Sequence, residues 1–153
     1  MDRRDHLHYA ARYGSLAIAR GLLDQGHDVN ERNYFEETPL HDAARFNRVD
    51  MVQLLLDRGA DLEAPNRSGN TPLQICRNFN MFELLLSRGA DAMTTKNNGM
   101  QILNSILIRD HGPIWMSFLF HHIDGDPSTF LSEKDSKGRT PLLSREIQSE
   151  ETT

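Results

Sequence analysis

Seven histidines, one cysteine and twenty-two acidic side chains are the groups of this 153-residue chain best suited to chemistry. Their spacing assembles none. His121 and His122 are adjacent, so on a helix they point about 100° apart and do not form the i, i+4 pair of a helical zinc site. His6 and His8 would share a face of a strand, but the surrounding pattern is helical. Asp124-Gly125-Asp126 has the spacing of half a calcium loop without its closing Glu. The glycines are placed as caps and turns, not as a phosphate cradle, and no Gly-x-Ser-x-Gly elbow occurs. A lone Cys76 excludes an internal disulfide and a cysteine zinc cluster, and suits a reducing compartment. These absences lead to the expectation of no catalytic residues, no metal, no cofactor and no small-molecule substrate.

The residues that would position a site repeat at a fixed interval. Leu7-His8-Tyr9-Ala10-Ala11-Arg12-Tyr13 returns thirty-three residues later as Leu40-His41-Asp42-Ala43-Ala44-Arg45-Phe46. Gly26-His27-Asp28-Val29 returns at the same interval as Gly59-Ala60-Asp61-Leu62, and Leu73 lies thirty-three after Leu40. Leu84-Leu85-Leu86 follows Leu54-Leu55-Leu56 by only thirty, so the third copy lacks three residues, most simply the counterparts of Arg48-Val49-Asp50. That placement predicts a shortened second helix in the third unit. Each unit reads as turn, helix, loop, helix. Thr38-Pro39 and Thr71-Pro72 start first helices, with Thr as cap and Pro at the position that loses no N–H. The alanine pairs let a neighbouring helix approach, and Gly59 suits a left-handed C-cap. Cys76 falls in the alanine column with Ala10 and Ala43, which predicts a small buried residue. One such helix pair cannot bury its own apolar face, so stacked copies share a core.

On Thr38-Pro39-Leu40-His41-Asp42-Ala43-Ala44, Leu54-Leu55-Leu56-Asp57-Arg58-Gly59-Ala60-Asp61 and Gly69-Asn70-Thr71-Pro72-Leu73, the chain resembles the ankyrin-repeat family. The resemblance implies an all-α solenoid of helix pairs with protruding turns: about three good repeats, one degenerate and one partial. Repeats are expected at approximately 1–33, 34–66, 67–96 and 97–134, with a partial one at 135–148 and a disordered tail at 149–153. In the fourth, Gln101-Ile102 stand in place of Thr-Pro, and Leu142 follows Leu103 by thirty-nine residues, six more than the period. An insertion near Asp124-Gly125-Asp126-Pro127 accounts for the excess. Trp115 and Phe118, within the apolar run from Ile114 to Phe120, form a possible secondary patch. The resemblance also implies that His8 and His41 are structural.

Binding in such arrays is expected on the concave side, from turn tips and the exposed face of each first helix. By register this selects the columns Arg12, Arg45, Asn78 and Tyr13, Phe46, Phe79, with Tyr34, Phe35, Glu37, Arg67 and Asn70 from the turns. Aromatics and Arg anchor interfaces through contact area and forked hydrogen bonding. Two readings of Tyr13, Phe46 and Phe79 stay open: contact with a partner, or stacking between repeats. Arg12 and Arg45 beside Glu37 predict a locally basic face on a chain of net charge -5. That overall charge argues against nucleic acid as the partner. Ile114 to Ile123 is too short to span a bilayer, and Met1 to His6 has no apolar leader. The chain is therefore read as intracellular, cytoplasmic or nuclear. The function expected is protein binding as an adaptor or scaffold. The alternative is a substrate-recruiting subunit of a ubiquitin ligase or a host-directed effector, with its activity in another domain or partner. Leu22, Asp28 and Val29 precede Asn30 in the spacing of ankyrin asparagines that an oxygen-sensing dioxygenase hydroxylates, making Asn30 a possible modification site.

Overall fold

A computed structural model describes residues 6–91, which belong to one compact unit, Met1–Thr94. The element order is α1 (His6–Tyr13), α2 (Leu16–Asp24), α3 (Pro39–Arg45), α4 (Val49–Asp57), α5 (Pro72–Ile75) and α6 (Phe79–Ser87). No strand occurs among the described residues. The first helices form one layer, with α3 packed between α1 and α5, while α2 backs α1 and meets α4. No helix among the described residues is long and apolar enough to cross a membrane.

The central pair shows why the units take this form. Thr38 is extended (φ -91°, ψ 165°) and Pro39 opens α3. The Thr38 N–H donates to His41 Nδ1 at 3.1 Å, and the Thr38 hydroxyl lies 2.9 Å from the same nitrogen. His41 Nε2 donates to the Asn70 carbonyl of the next turn at 3.0 Å. One imidazole, acceptor at Nδ1 and donor at Nε2, thus caps its own helix and holds the following repeat. Every residue from Pro39 to Ala44 is buried. Ala43 and Ala44 have no exposed surface, as close helix approach requires. The second helix buries Met51, Val52, Leu54 and Leu55, each worth roughly 1.5–3 kcal/mol of transfer free energy. It ends at Gly59, whose φ of 86° suits the residue that lacks a Cβ.

The third unit corrects one expectation. Its second helix, α6, has nine residues, the same as α2 and α4, whereas α5 has four against seven in α3. The deletion shortens the first helix, not the second. The cause is local. Arg77 stands where α3 buries Ala44, and a guanidinium cannot take that place without a partner in the core. The chain turns extended at Cys76 (φ -65°, ψ 146°) and leaves Arg77 exposed. Asn78 then starts α6 by accepting from the Asn80 N–H at 2.9 Å. Cys76 is therefore half-buried at the end of α5 rather than in the alanine column, with Sγ 3.1 Å from the Leu73 carbonyl. Gln74 repeats the capping role of His41, its Oε1 accepting from the Thr71 N–H at 2.8 Å.

Burial holds the His41 imidazole below its ordinary value of 6.5, against smaller opposing contributions from the Asn70 carbonyl and Glu37. The unfolded chain then binds this proton more readily than the folded one. Stability from His41 is complete above pH 6.5 and falls as pH drops toward the folded value. His41→Gln retains an acceptor for the Thr38 N–H, as Gln74 does for Thr71, but does not titrate. In urea unfolding, wild type loses stability from pH 6.5 downward, and the variant's curve is flatter through that interval.

Candidate functional site

The layer of first helices is joined by buried charge. Asp42 on α3 has no exposed surface. Its Oδ2 lies 2.8 Å from His8 Nδ1, and its Oδ1 accepts from Arg12 at 3.0 and 3.3 Å. His8 Nε2 lies 3.2 Å from the Glu31 carbonyl, so the imidazole bridges loop and helix. Burial alone would raise the Asp42 carboxyl. The hydrogen bonds and charges of His8 and Arg12 outweigh it and hold Asp42 below its ordinary 3.8. The same hydrogen bond to Asp42 raises Arg12, against the opposing effect of its partial burial.

Glu37 is likewise buried, contrary to its expected place on the open face. Both its oxygens accept from the Arg45 guanidinium, one at 3.0 Å, and Asn66 reaches Oε1 at 3.4 Å. Arg12 and Arg45 are each matched to a carboxylate inside the stack. The expectation of a locally basic face is thereby corrected, because both charges are compensated from within. Asn70 is half-buried and works through its backbone, its carbonyl accepting from His41 and its N–H donating to Asn66 Oδ1. Asn78 is the α6 cap, and Phe79 is the first residue of α6 and half-buried, so neither continues its column along a first helix.

What remains outward is aromatic. Asn33 Oδ1 accepts from the N–H groups of Phe35 and Glu37, folding the turn whose tip is Tyr34-Phe35. Asn66 does the same for Ser68 and Asn70 one repeat later. Tyr34 is 76% exposed and Phe35 60%, and their rings meet edge to face at 5.4 Å. Arg67 from the next tip lies over the Tyr34 ring at 4.6 Å, and its N–H donates to the Phe35 carbonyl. Glu36 holds φ 59° where the next repeat has Gly69 at 79°, so the tip keeps a left-handed residue at one position in both turns. On the first helices, Tyr13 stacks on Tyr9 at 6.0 Å and Arg12 lies over Phe46 at 5.2 Å. Tyr9, Tyr13 and Phe46 are all exposed. Tyr13 thus pairs with its own helix rather than with the next repeat.

The profile of the family described as ankyrin repeats matches residues 7–96 in three copies. The chain belongs to the ankyrin-repeat family. Such repeats are generally protein–protein interaction modules and typically non-enzymatic. A search of curated proteins finds no match. Among the described residues of this ankyrin array, no three of His, Cys, Asp and Glu cluster as a metal site would require.

Sequence reasoning missed Tyr9 and Asp42. The i, i+4 spacing of Tyr9 and Tyr13 is a legible signal of a shared helix face. For Asp42 the signal is a carboxylate thirty residues beyond Arg12 within the alanine-rich helix. Asn30 is half-buried, and both its amide oxygen and its amide nitrogen bond to the next repeat. Oδ1 accepts from the Asp61 N–H at 2.7 Å and Nδ2 donates to the Gly59 carbonyl at 3.3 Å. Glu63, thirty-three residues on, accepts from the Asp91 N–H at 2.8 Å. The Asn30 column therefore links loops of successive ankyrin repeats, and hydroxylation there would need that clamp opened. Trp115, Phe118, the fourth repeat and the partial fifth lie outside the described residues.

The two kinds of residue separate in a stability measurement. Arg45→Ala strands the buried Glu37 carboxylate and costs roughly 1–3 kcal/mol of unfolding free energy. Phe35→Ala removes a ring that rests mainly in solvent and changes stability by about 0.5 kcal/mol or less. Urea denaturation of both variants measures the difference.

Proposed function

We propose that the chain is a non-catalytic adaptor or scaffold module that holds a partner protein on the concave side of its ankyrin repeats. The observation that carries this reading is the exposed aromatic set on turn tips and first helices: Tyr34, Phe35, Tyr13, Phe46 and Tyr9. Arg67, seated on Tyr34, belongs with them. A solvent-facing aromatic pair at a turn tip does not serve the core, and its neighbours hold the backbone whether or not the rings are present. Rigid aromatics supply contact area at small entropic cost, which is why they dominate interface anchors. Because Arg12 and Arg45 are already paired, the favoured partner surface is apolar or aromatic, with hydrogen-bond acceptors for Arg67 and the tyrosine hydroxyls. Of the acidic or aromatic partner that a locally basic face would select, the aromatic one is kept.

Proximity labelling in the native cell, repeated with a Tyr34→Ala/Phe35→Ala variant, tests the proposal. The variant retains the wild-type Tm, while affinity for the labelled partner, measured with purified protein, falls about tenfold or more, as for loss of an aromatic hot spot. A partner bound at full strength by the variant removes the turn tips from the interface. In the same preparations, an intact mass without one added oxygen atom removes hydroxylation of Asn30.

A further inference from the structure

Among the described residues, the left-handed backbone positions are held by glycines and by two other residues, Asn47 at φ 56° and Glu36 at φ 59°. Asn47 is explained by its own type. It stands thirty-three residues after Gly14, which holds φ 74°, and asparagine tolerates this conformation. Glutamate does not share that tolerance. The next turn has Gly69 at the position of Glu36, so the backbone there suits a residue without a Cβ. What Glu36 does for the fold is done by its backbone. Its N–H donates to the Asn33 carbonyl at 3.0 Å, and its carbonyl accepts from Arg32 at 2.9 Å. Glycine would make both bonds. The Glu36 carboxylate is exposed and forms no hydrogen bond or ion pair among the described residues. The two guanidiniums near it are occupied elsewhere: Arg32 donates to the Glu36 and Pro65 carbonyls, and Arg67 lies over the Tyr34 ring. The tip thus carries a conformational strain that nothing in the described fold offsets, and strain of this kind gathers at sites of contact.

We infer that Glu36 receives a cationic side chain, an arginine or lysine, of the protein held at this turn tip, beside the place where Tyr34 and Phe35 seat. The inference rests on the proposed role of the tip as a contact surface and supplies its charge. Tyr34, Phe35 and Glu36 are consecutive, so a partner segment that covers the rings also strips water from the carboxylate. A dehydrated carboxylate without a cation opposes binding. The net charge of -5 also favours the approach of a basic segment over an acidic one. The partner chemistry is therefore a basic residue next to aromatic or aliphatic ones. Glu37 makes the contrast within the same turn: it is buried, and its carboxylate is already paired with Arg45.

Phage-displayed random peptides selected on the immobilised full chain test the inference. Enriched sequences carry Arg or Lys next to an aromatic or aliphatic residue. Synthetic copies of them bind Glu36→Gln and Glu36→Gly about tenfold more weakly than wild type, the scale of losing a charged hydrogen bond. Glu36→Gly also raises the Tm by a few degrees, because relief of the left-handed strain exceeds the entropy that glycine adds to the unfolded chain. Its weaker binding is then not lost folding. Enriched peptides without a basic residue, or peptides held equally by Glu36→Gln, overturn the inference. So does a Glu36→Gly chain that melts at or below the wild-type temperature. Tyr34→Ala/Phe35→Ala is the second arm. Peptides that it loses but both Glu36 variants keep overturn the cation alone, whereas peptides that it keeps overturn the contact surface itself. A selection that enriches nothing overturns both.

Discussion

Asp42 is a carboxylate with no exposed surface in the middle of the helical stack. A charge so placed costs several kcal/mol unless it is paired and hydrogen-bonded. Here it is paired entirely by the preceding repeat, through His8 and Arg12. The stack between the first two repeats is therefore specified as well as packed: apolar surfaces attract in many registers, but a buried carboxylate held by an imidazole and a guanidinium fits one. Similar linkages recur with different chemistry. His41 reaches the Asn70 carbonyl, Asn30 reaches Asp61, and Arg58 and Arg88 reach Asp24 and Asp57 across the outer layer at 2.9 and 3.4 Å. The outer pairs are exposed and contribute little; the inner ones decide register.

This inward use of charge shapes the surface. Arg12 and Arg45 would anchor a partner if they were free, yet each is committed to a buried carboxylate. Tyrosine and phenylalanine are then the most distinctive outward groups of the turn tips and first helices, with Arg67 laid on the Tyr34 ring and Arg12 on the Phe46 ring. Residues that hold the stack and residues that face solvent alternate within the same short segments. Thr38, His41 and Asp42 face inward along α3, while Phe46 at its end faces out.

The repeat, its caps and its helix pairs were legible in the sequence because each rests on local chemistry: Thr-Pro starts, leucine triplets and glycines in left-handed caps. The pairing of charges was not. Arg45 and Glu37 are close in sequence, but whether a guanidinium reaches outward or folds back onto a carboxylate depends on burial that only the stack creates. Asp42 was hidden for the same reason, since its partners lie in another repeat. The placement of the three-residue deletion depended on a competition. A full-length second helix buries Met81, Phe82, Leu85 and Leu86, whereas extending α5 would have forced Arg77 inward. The apolar burial prevailed.

All of this turns on the ionised state of Asp42 within the fold. Carbon-detected NMR of the Asp42 side-chain carboxyl, followed from neutral pH downward over the range in which the chain stays folded, reports that state directly. The account predicts that Asp42 is more than half ionised at pH 3.8, its ordinary midpoint, because its own midpoint lies below that value. A midpoint at or above 3.8 while the repeats remain folded would contradict it, because burial would then have prevailed over the pairing with His8 and Arg12.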